Sequence, residues 1–216
     1  MPVGVDEAGK GPVLGSMFAA AVSVTSRDDL PEGVADSKRL SPARRERLAG
    51  RLREADGVDV GVAEITTGRI DDPGTDMNGL AVEAHARAIA AAIGDPDHTA
   101  DVVCDACDTD ADRFARRVAD ATPVAATVEA FHGADDDDPL VGAASVIAKV
   151  ERDAHVATLA AEYGDVGSGY PSDPTTRRFL SAYVDDHGEL PPFARASWST
   201  CADVLAAAEQ SGLEEF

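Results

Sequence analysis

The first 24 residues, MPVGVDEAGKGPVLGSMFAAAVSV (Met1–Val24), decide the architecture. Val3–Val5 is a short apolar start, broken at once by Ala8-Gly9-Lys10-Gly11-Pro12. A second apolar run, rich in Ala and Val, follows from Val13 to Val24. Short apolar runs bounded by Gly and Pro read as buried strands, one in the first stretch and one or two in the second. Outward from there, strands and helices alternate. Pro31–Leu40 is a polar connection, and Ser41-Pro42 reads as an N-cap and first helical position of an Arg-rich helix reaching about Ala55. Val58–Ile65 alternates as a strand, whereas Met77–Ile93 has helical periodicity and stops at Gly94. Next come a strand over Asp101–Cys104 ending at Asp105, a helix over Asp112–Ala119 and a strand over Val124–Ala130. The acidic turn Asp135–Asp138 then leads into a helix from Pro139 to about Tyr163. A Gly/Pro loop, Gly164–Pro174, precedes helices over about Thr175–Asp186 and Ser197–Gln210 and a short tail. No internal repeat is visible. This order implies an α/β chain: a mixed sheet covered by helices, with a helical C-terminal extension.

Charge is the loudest feature of the composition. The 216 residues carry 19 Lys+Arg against 40 Asp+Glu, a net charge of −21, and the only lysines are Lys10, Lys38 and Lys149. Apolar residues make up 44%, so the chain is globular and not a disordered acidic tail. Such acidity normally counts against nucleic-acid partners, whose affinity rests largely on cationic contacts to phosphate. However, abundant Asp, small residues and few lysines resemble the proteins of salt-accumulating halophiles. In molar salt the Debye length is about 3 Å, which screens both self-repulsion and repulsion of a polyanionic substrate. Three cysteines argue against a disulfide framework and fit a reducing compartment. No run approaches the roughly 20 apolar residues of a membrane span, and the N-terminus carries charges where a signal peptide is apolar. A cytoplasmic protein with no membrane partner is expected.

Carboxylates stand where apolar strands break: Asp6 and Glu7, then Asp105, then Asp135–Asp138. Oxygen ligands so placed suit hard cations such as Mg²⁺. With 40 acids in the chain, spacing alone does not make a site, and Asp108, Asp110 and Asp112 read as solvated bystanders. Asp6-Glu7 is more specific. Neighbours on a regular strand face opposite sides, so both serve one site only if the strand ends or bulges, and Ala8–Pro12 supplies that break. Gly4-x-x-x-x-Gly9-Lys10 has P-loop spacing, but Gly11 stands where Ser or Thr is needed and two acids lie inside the loop, which sets a nucleotide triphosphatase aside. Cys104-x-x-Cys107 has no matching second pair and reads as small residues flanking Asp105. His85 and His155 lie on predicted helices as ordinary surface or satisfied residues; His132, beside the acidic turn, stands apart.

Together these segments resemble type 2 ribonuclease H (ribonuclease HII), in its archaeal branch. The matching stretches are GVDEAGKGPVLG (Gly4–Gly15), DSKRLS (Asp36–Ser41), Val103–Ala106, HGADDDDPLVGAASVIAK (His132–Lys149), GSGYPSDPT (Gly167–Thr175) and PFARASWST (Pro192–Thr200). The resemblance implies a ribonuclease H-like fold, a five-stranded mixed sheet flanked by helices. It divides the chain into a catalytic domain (1–165), a helical extension (166–209) and a tail (210–216). It also implies four catalytic, metal-binding carboxylates. Asp6, Glu7 and Asp105 match the first three directly, and anchoring on His132, Ala134 and Pro139 selects Asp135 as the fourth, leaving Asp136–Asp138 as turn or decoration. The chain departs from archaeal relatives in having Gly133 where they carry lysine, and Asp137-Asp138 where they carry Lys-Tyr.

The implied activity is endonucleolytic cleavage of the RNA strand of RNA/DNA hybrids, and 5′ to ribonucleotides embedded in duplex DNA, leaving 5′-phosphate and 3′-hydroxyl ends. Two Mg²⁺ or Mn²⁺ ions about 4 Å apart would clamp the scissile phosphate. Discrimination from DNA rests on the 2′-OH, read in this family by a turn matching Gly9-Lys10-Gly11, with Tyr170 packing on the sugar. Lys38, Ser145 and Lys149 are candidate phosphate contacts. The alternatives are another ribonuclease H-fold nuclease or resolvase, and a non-catalytic acidic cation-binding module. The tail, Gln210-x-x-Leu213-x-x-Phe216, resembles a sliding-clamp-binding box, in which an aliphatic and an aromatic anchor share one side. A monomer is expected.

Overall fold

A computed structural model describes residues 1–34, 40–94 and 99–214, with side chains through Gln210. Strand β1 (Pro2–Ala8) is followed by β2 (Met17–Val24), α1 (Pro42–Glu54), β3 (Val58–Ile65), α2 (Thr67–Ile70) and α3 (Met77–Ala92). Then come β4 (Ala100–Asp105), α4 (Ala111–Ala121), β5 (Ala126–Phe131), α5 (Ala134–Asp137), α6 (Pro139–Tyr163), α7 (Pro174–His187) and α8 (Ser199–Glu214). The residues gather into two compact units. One holds Met1–Ala8, Met17–Glu64 and Met77–Arg152; the other holds Gly9–Ser16, Ile65–Asp76 and Asp153–Phe216.

The first unit is built on a five-stranded mixed sheet of order β3-β2-β1-β4-β5. β1 runs antiparallel to β2 and parallel to β4, and β4 runs parallel to β5. All eight residues of β2 are buried, as the apolar run requires of a strand covered on both faces, while the edge strands are more open: β3 mixes buried and exposed residues and β5 alternates half-buried and exposed ones. On one face Ala20, Val22 and Val24 pack with Leu48 and Leu52 of α1 and Leu140, Ala144 and Ile147 of α6. On the other face α3 covers β1 and β2, and α4 covers β5; there Ser23 Oγ donates to the carbonyl of Ala92 at 3.0 Å. Gly4 is explained by this packing. A Cβ there would stand 2.2 Å from the Leu140 carbonyl carbon, so α6 lies against β1 only because residue 4 has no side chain. Gly4 is thus a mid-strand packing residue and no part of a phosphate loop. This sheet is the one the resemblance implies.

The second unit has its own core of Val13, Leu14, Leu159, Val166, Leu180, Phe193 and Cys201. Val13 and Leu14 fall outside β2, contrary to the expectation of strand from Val13 onward; Leu14 instead makes an isolated bridge to Ala194. Ser41 precedes α1 with extended backbone but makes no side-chain cap bond, and Pro42 alone marks the start.

Candidate active site and the Tyr170 loop

In the first unit, β1 outruns its pairing with β4. The last register pair is Val5 with Cys104, whereas pairing with β2 continues to Ala8 with Phe18. The strand therefore runs regularly through Asp6 and Glu7 and ends at Ala8, where Ala8–Pro12 supplies the break, and the two side chains take opposite faces of the sheet just before that end. Asp6 turns to α6, where it hydrogen-bonds Ser145. Glu7 turns to α3, where its Oε2 lies 2.9 Å from Nε2 of His85. One further step along the register brings Asp105 alongside Asp6 at the carboxyl ends of two parallel strands, the usual place for a ligand in an α/β sheet.

Around this rim the acids crowd one another. Asp6 is 5% exposed, and its pKa is raised to about 7, first by burial and then by the charges of Glu7 and Asp105, against the Ser145 bond and Lys149. Asp105 is also raised, mainly by burial and by Asp135 and Glu7, although the Ala134 N–H donates to its Oδ1 at 2.8 Å. The field of Asp135 at Asp105 singles it out from the acidic run: Asp135 is half-buried, while Asp136 and Asp137 are exposed. At Asp6 and Asp105, burial and mutual repulsion outweigh the Lys149 charge and the Ser145 and Ala134 hydrogen bonds. Oxygen donors gathered in this way fit a hard divalent cation such as Mg²⁺ or Mn²⁺, and Asp6, Glu7, Asp105 and Asp135 are the residues that could hold it.

Several expectations are corrected here. Asp138 is not decoration: it bonds Arg27 through both oxygens (3.1 and 2.9 Å) and accepts from the Leu140 N–H at 2.8 Å, starting α6. Burial opposes its ionisation, but Arg27 and the helix N–H groups outweigh that and lower its pKa. Asp138→Ala should therefore cost about 1 kcal/mol or more of stability, as loss of a helix cap does, read from the denaturant midpoint. Asp108 is buried and paired with Arg113 at 2.6 Å, and Asp110 caps α4 by accepting from the Arg113 N–H. Ser145 is fully buried and receives a bond from Lys149 Nζ at 2.7 Å, so Lys149, Ser145 and Asp6 form one chain. His132 bonds the carbonyl of Ala106. Lys38 and Phe216 lie outside the described residues, as does the side chain of Leu213; Gln210 lies within α8, which runs on to Glu214.

Two contributors are unrecognised in sequence. His85 is wholly buried, although read as ordinary. The signal was present: Ala81, His85, Ala88 and Ala92 fall on one buried stripe of α3. The other is Arg195, in the second unit. It is fully buried, and its guanidinium donates to the carbonyls of Gly15 (2.9 Å), Lys10 (2.9 Å) and Gly9, 5.1 Å over the Trp198 ring. Because a trans peptide sets N–H opposite to C=O, carbonyls turned in toward Arg195 turn the N–H groups of Lys10 and Gly11 outward. Gly9 takes φ +88°, which only glycine adopts cheaply. A Cβ on Gly11 would stand 3.7 Å from Tyr170 Cε1, so the turn and Tyr170 adjoin. The Tyr170 loop is braced in turn. Asp173 accepts from the Ser168 N–H at 2.6 Å, and these backbone donors hold its pKa down at about 2. The Gly169 N–H donates to Thr176 Oγ1, and the Gly169 carbonyl accepts from the Val13 N–H. Arg195→Met should leave three carbonyls undonated at about 1–3 kcal/mol apiece, a loss readable by denaturation.

Comparisons with known proteins follow the same lines. A family model described as Ribonuclease HII matches residues 3–201. Ribonuclease HII of Haloarcula marismortui is 63% identical over 216 residues, covering 100% of both chains. Relatives at this level of identity come from halophilic archaea, the origin suggested by the acidity. The crystal structure of ribonuclease H2 from Pyrococcus horikoshii is similar with a TM-score of 0.86 and 36% identity, covering 97% of this chain and 99% of that one. RNase HII from Archaeoglobus fulgidus, solved in complex with PCNA, gives a TM-score of 0.82 at 36% identity over 94% and 96% of the two chains. Because the similarity extends from the first strand to the last helix, it is the whole fold that is shared: the chain belongs to the ribonuclease HII family and is a ribonuclease H hydrolase.

Proposed function

We propose that the chain cleaves the RNA strand of RNA/DNA hybrids and cuts 5′ to single ribonucleotides in duplex DNA, leaving 5′-phosphate and 3′-hydroxyl ends. The observation that carries this reading is that the buried carboxylates Asp6 and Asp105 stand at neighbouring strand ends within the fields of Glu7 and Asp135, so that burial and repulsion raise the pKa of both. Ribonuclease H enzymes use divalent metals; two such ions held by these carboxylates would activate a water and stabilise the leaving 3′ oxygen. The protein's own groups do the rest. Ser145 and Lys149 hold Asp6 in place, and His85 orients Glu7. The outward N–H groups of Lys10 and Gly11 accept no proton and only donate, which suits the lone pairs of a 2′-OH. Tyr170, 40% exposed, offers its ring to a sugar.

Tyr170→Ala is accordingly expected to lose more activity on one embedded ribonucleotide than on a long hybrid, where many 2′-OH groups share the binding. Equal losses would make Tyr170 a general binding residue. The function itself is tested with Mg²⁺ or Mn²⁺ on a hybrid and on branched DNA. Cutting of the hybrid supports the proposal; cutting of branched DNA alone indicates a resolvase, and no cutting in any salt or metal indicates a cation-binding module. The chain acts as a monomer in this reading. The RNase HII solved in complex with PCNA supports a sliding clamp as partner, and the spacing of Gln210, Leu213 and Phe216 in the sequence makes the tail the segment that would dock to it. Deleting residues 213–216 should abolish co-migration with a clamp and leave hybrid cleavage unchanged; clamp binding that survives the deletion refutes the assignment.

A further inference from the structure

On the α3 side of Glu7, the catalytic reading uses His85 only to orient the carboxylate and gives Cys107 no role. There Glu7, His85 and Cys107 bring a carboxylate oxygen, an imidazole nitrogen and a sulfur within 4.8 Å of one another. We propose that these three residues form a binding site for a divalent cation of the zinc class, and that its occupancy stops the nuclease by taking Glu7 away from the oxygen-only set. The proposal rests on the reading of Glu7 as a ligand of the hard cations.

Donor chemistry separates the two sites. Thiolate and imidazole favour zinc-class ions, whereas Mg²⁺ and Mn²⁺ prefer oxygen, so Asp6, Asp105 and Asp135 lie on one side of the preference and His85 and Cys107 on the other. Glu7 serves either. The spacing is also suitable: ligand atoms around a tetrahedral zinc stand about 3.3–3.6 Å apart, so donors within 4.8 Å need small movements only. His85 is held for the task. Its ring meets Phe114 edge-on at 5.1 Å, it is fully buried, and Nε2 is the nitrogen aimed at Glu7. The Glu7 carboxylate holds the ring proton on Nε2; Nδ1 has no hydrogen-bond partner among the described residues and is where the proton goes when a metal takes Nε2. Cys107 is partly exposed, unlike Cys104 and Cys201, both buried. It loses its thiol proton to solvent when the metal binds. Three protein ligands leave a fourth position for water.

Cobalt reports this site directly, because a thiolate ligand on tetrahedral Co²⁺ gives a near-ultraviolet charge-transfer band that oxygen ligands do not. The full chain, in molar salt with Mg²⁺ present, is titrated with Co²⁺ and then with Zn²⁺. One equivalent of the band, displaced by zinc, is expected for the unaltered chain; Cys107→Ser should lose it, and His85→Gln should weaken cobalt binding by at least about tenfold. In cleavage assays, each variant scaled to its own zinc-free rate, Cys107→Ser should need at least about tenfold more zinc for half inhibition. Absence of the band, its persistence in Cys107→Ser, or equal zinc sensitivity of both proteins overturns the proposal. The spectroscopic arm needs no catalysis. A chain that shows the band without cutting a hybrid keeps the site and refutes the nuclease reading instead.

Discussion

Replacing Asp6 by Asn should reduce hybrid cleavage by orders of magnitude and at the same time raise the melting temperature of the metal-free protein at neutral pH. Both outcomes follow from one fact: the Asp6 carboxylate is buried, and beside like charges. The folded pKa of about 7 lies above the ordinary 3.8, so the folded state binds the proton more tightly than the unfolded chain does. The stability Asp6 contributes is present below about pH 4 and is lost as pH rises toward 7. An amide keeps the Ser145 bond, removes the charge and abolishes this slope, a gain of a few kcal/mol at most. Divalent cation should stabilise the unaltered protein more than Asp6→Asn, because the ion supplies the compensation that the fold leaves out. Glu7→Gln, Asp105→Asn and Asp135→Asn should likewise lose cleavage by orders of magnitude while remaining folded. Melting curves from pH 4 to 8 with and without Mg²⁺, beside cleavage rates, check the set. An Asp135→Asn protein that stays active while Asp136→Asn does not would move the fourth ligand by one residue.

The second large effect is on salt. A net charge of −21 on 216 residues repels itself strongly when ions are dilute, and a Debye length of about 3 Å at molar salt removes most of that repulsion. The melting temperature should therefore climb steadily between dilute buffer and molar KCl. Surface pairs work in the opposite direction, since salt also screens Arg69–Asp72 and Arg87–Glu83, but exposed pairs contribute only about 0–1 kcal/mol each. The uncompensated acids win. A melting temperature that is flat or falls with salt would refute adaptation to a saline interior.

Legibility in the sequence tracked the range of the interaction. Strands and helices governed by local patterning were visible: β2 as an apolar run, β3 as an alternation, α6 from its proline onward. The carboxylates were readable as strand-end acids, and the resemblance chose among them. What was hidden depended on contacts distant in the chain. Whether Asp6 and Glu7 share a face is decided by how far β2 pairs beyond the end of β4. That Asp138 is structural depends on Arg27, 111 residues away. Arg195 bonds carbonyls 180 to 186 residues distant, and nothing in its local sequence distinguishes it from a surface arginine. His85 was the exception, legible from helical phase alone.

Metal-dependent recognition of a single 2′-OH is tested most directly on a duplex DNA with one ribonucleotide, 5′-labelled on that strand and incubated with Mg²⁺ or Mn²⁺ in molar salt. One nick immediately 5′ to the ribonucleotide is predicted, leaving a 3′-hydroxyl that a polymerase extends, and none with chelator or with Asp6→Asn. Cleavage on the 3′ side of the ribonucleotide, cleavage that persists in chelator, or an intact strand under every metal would contradict it.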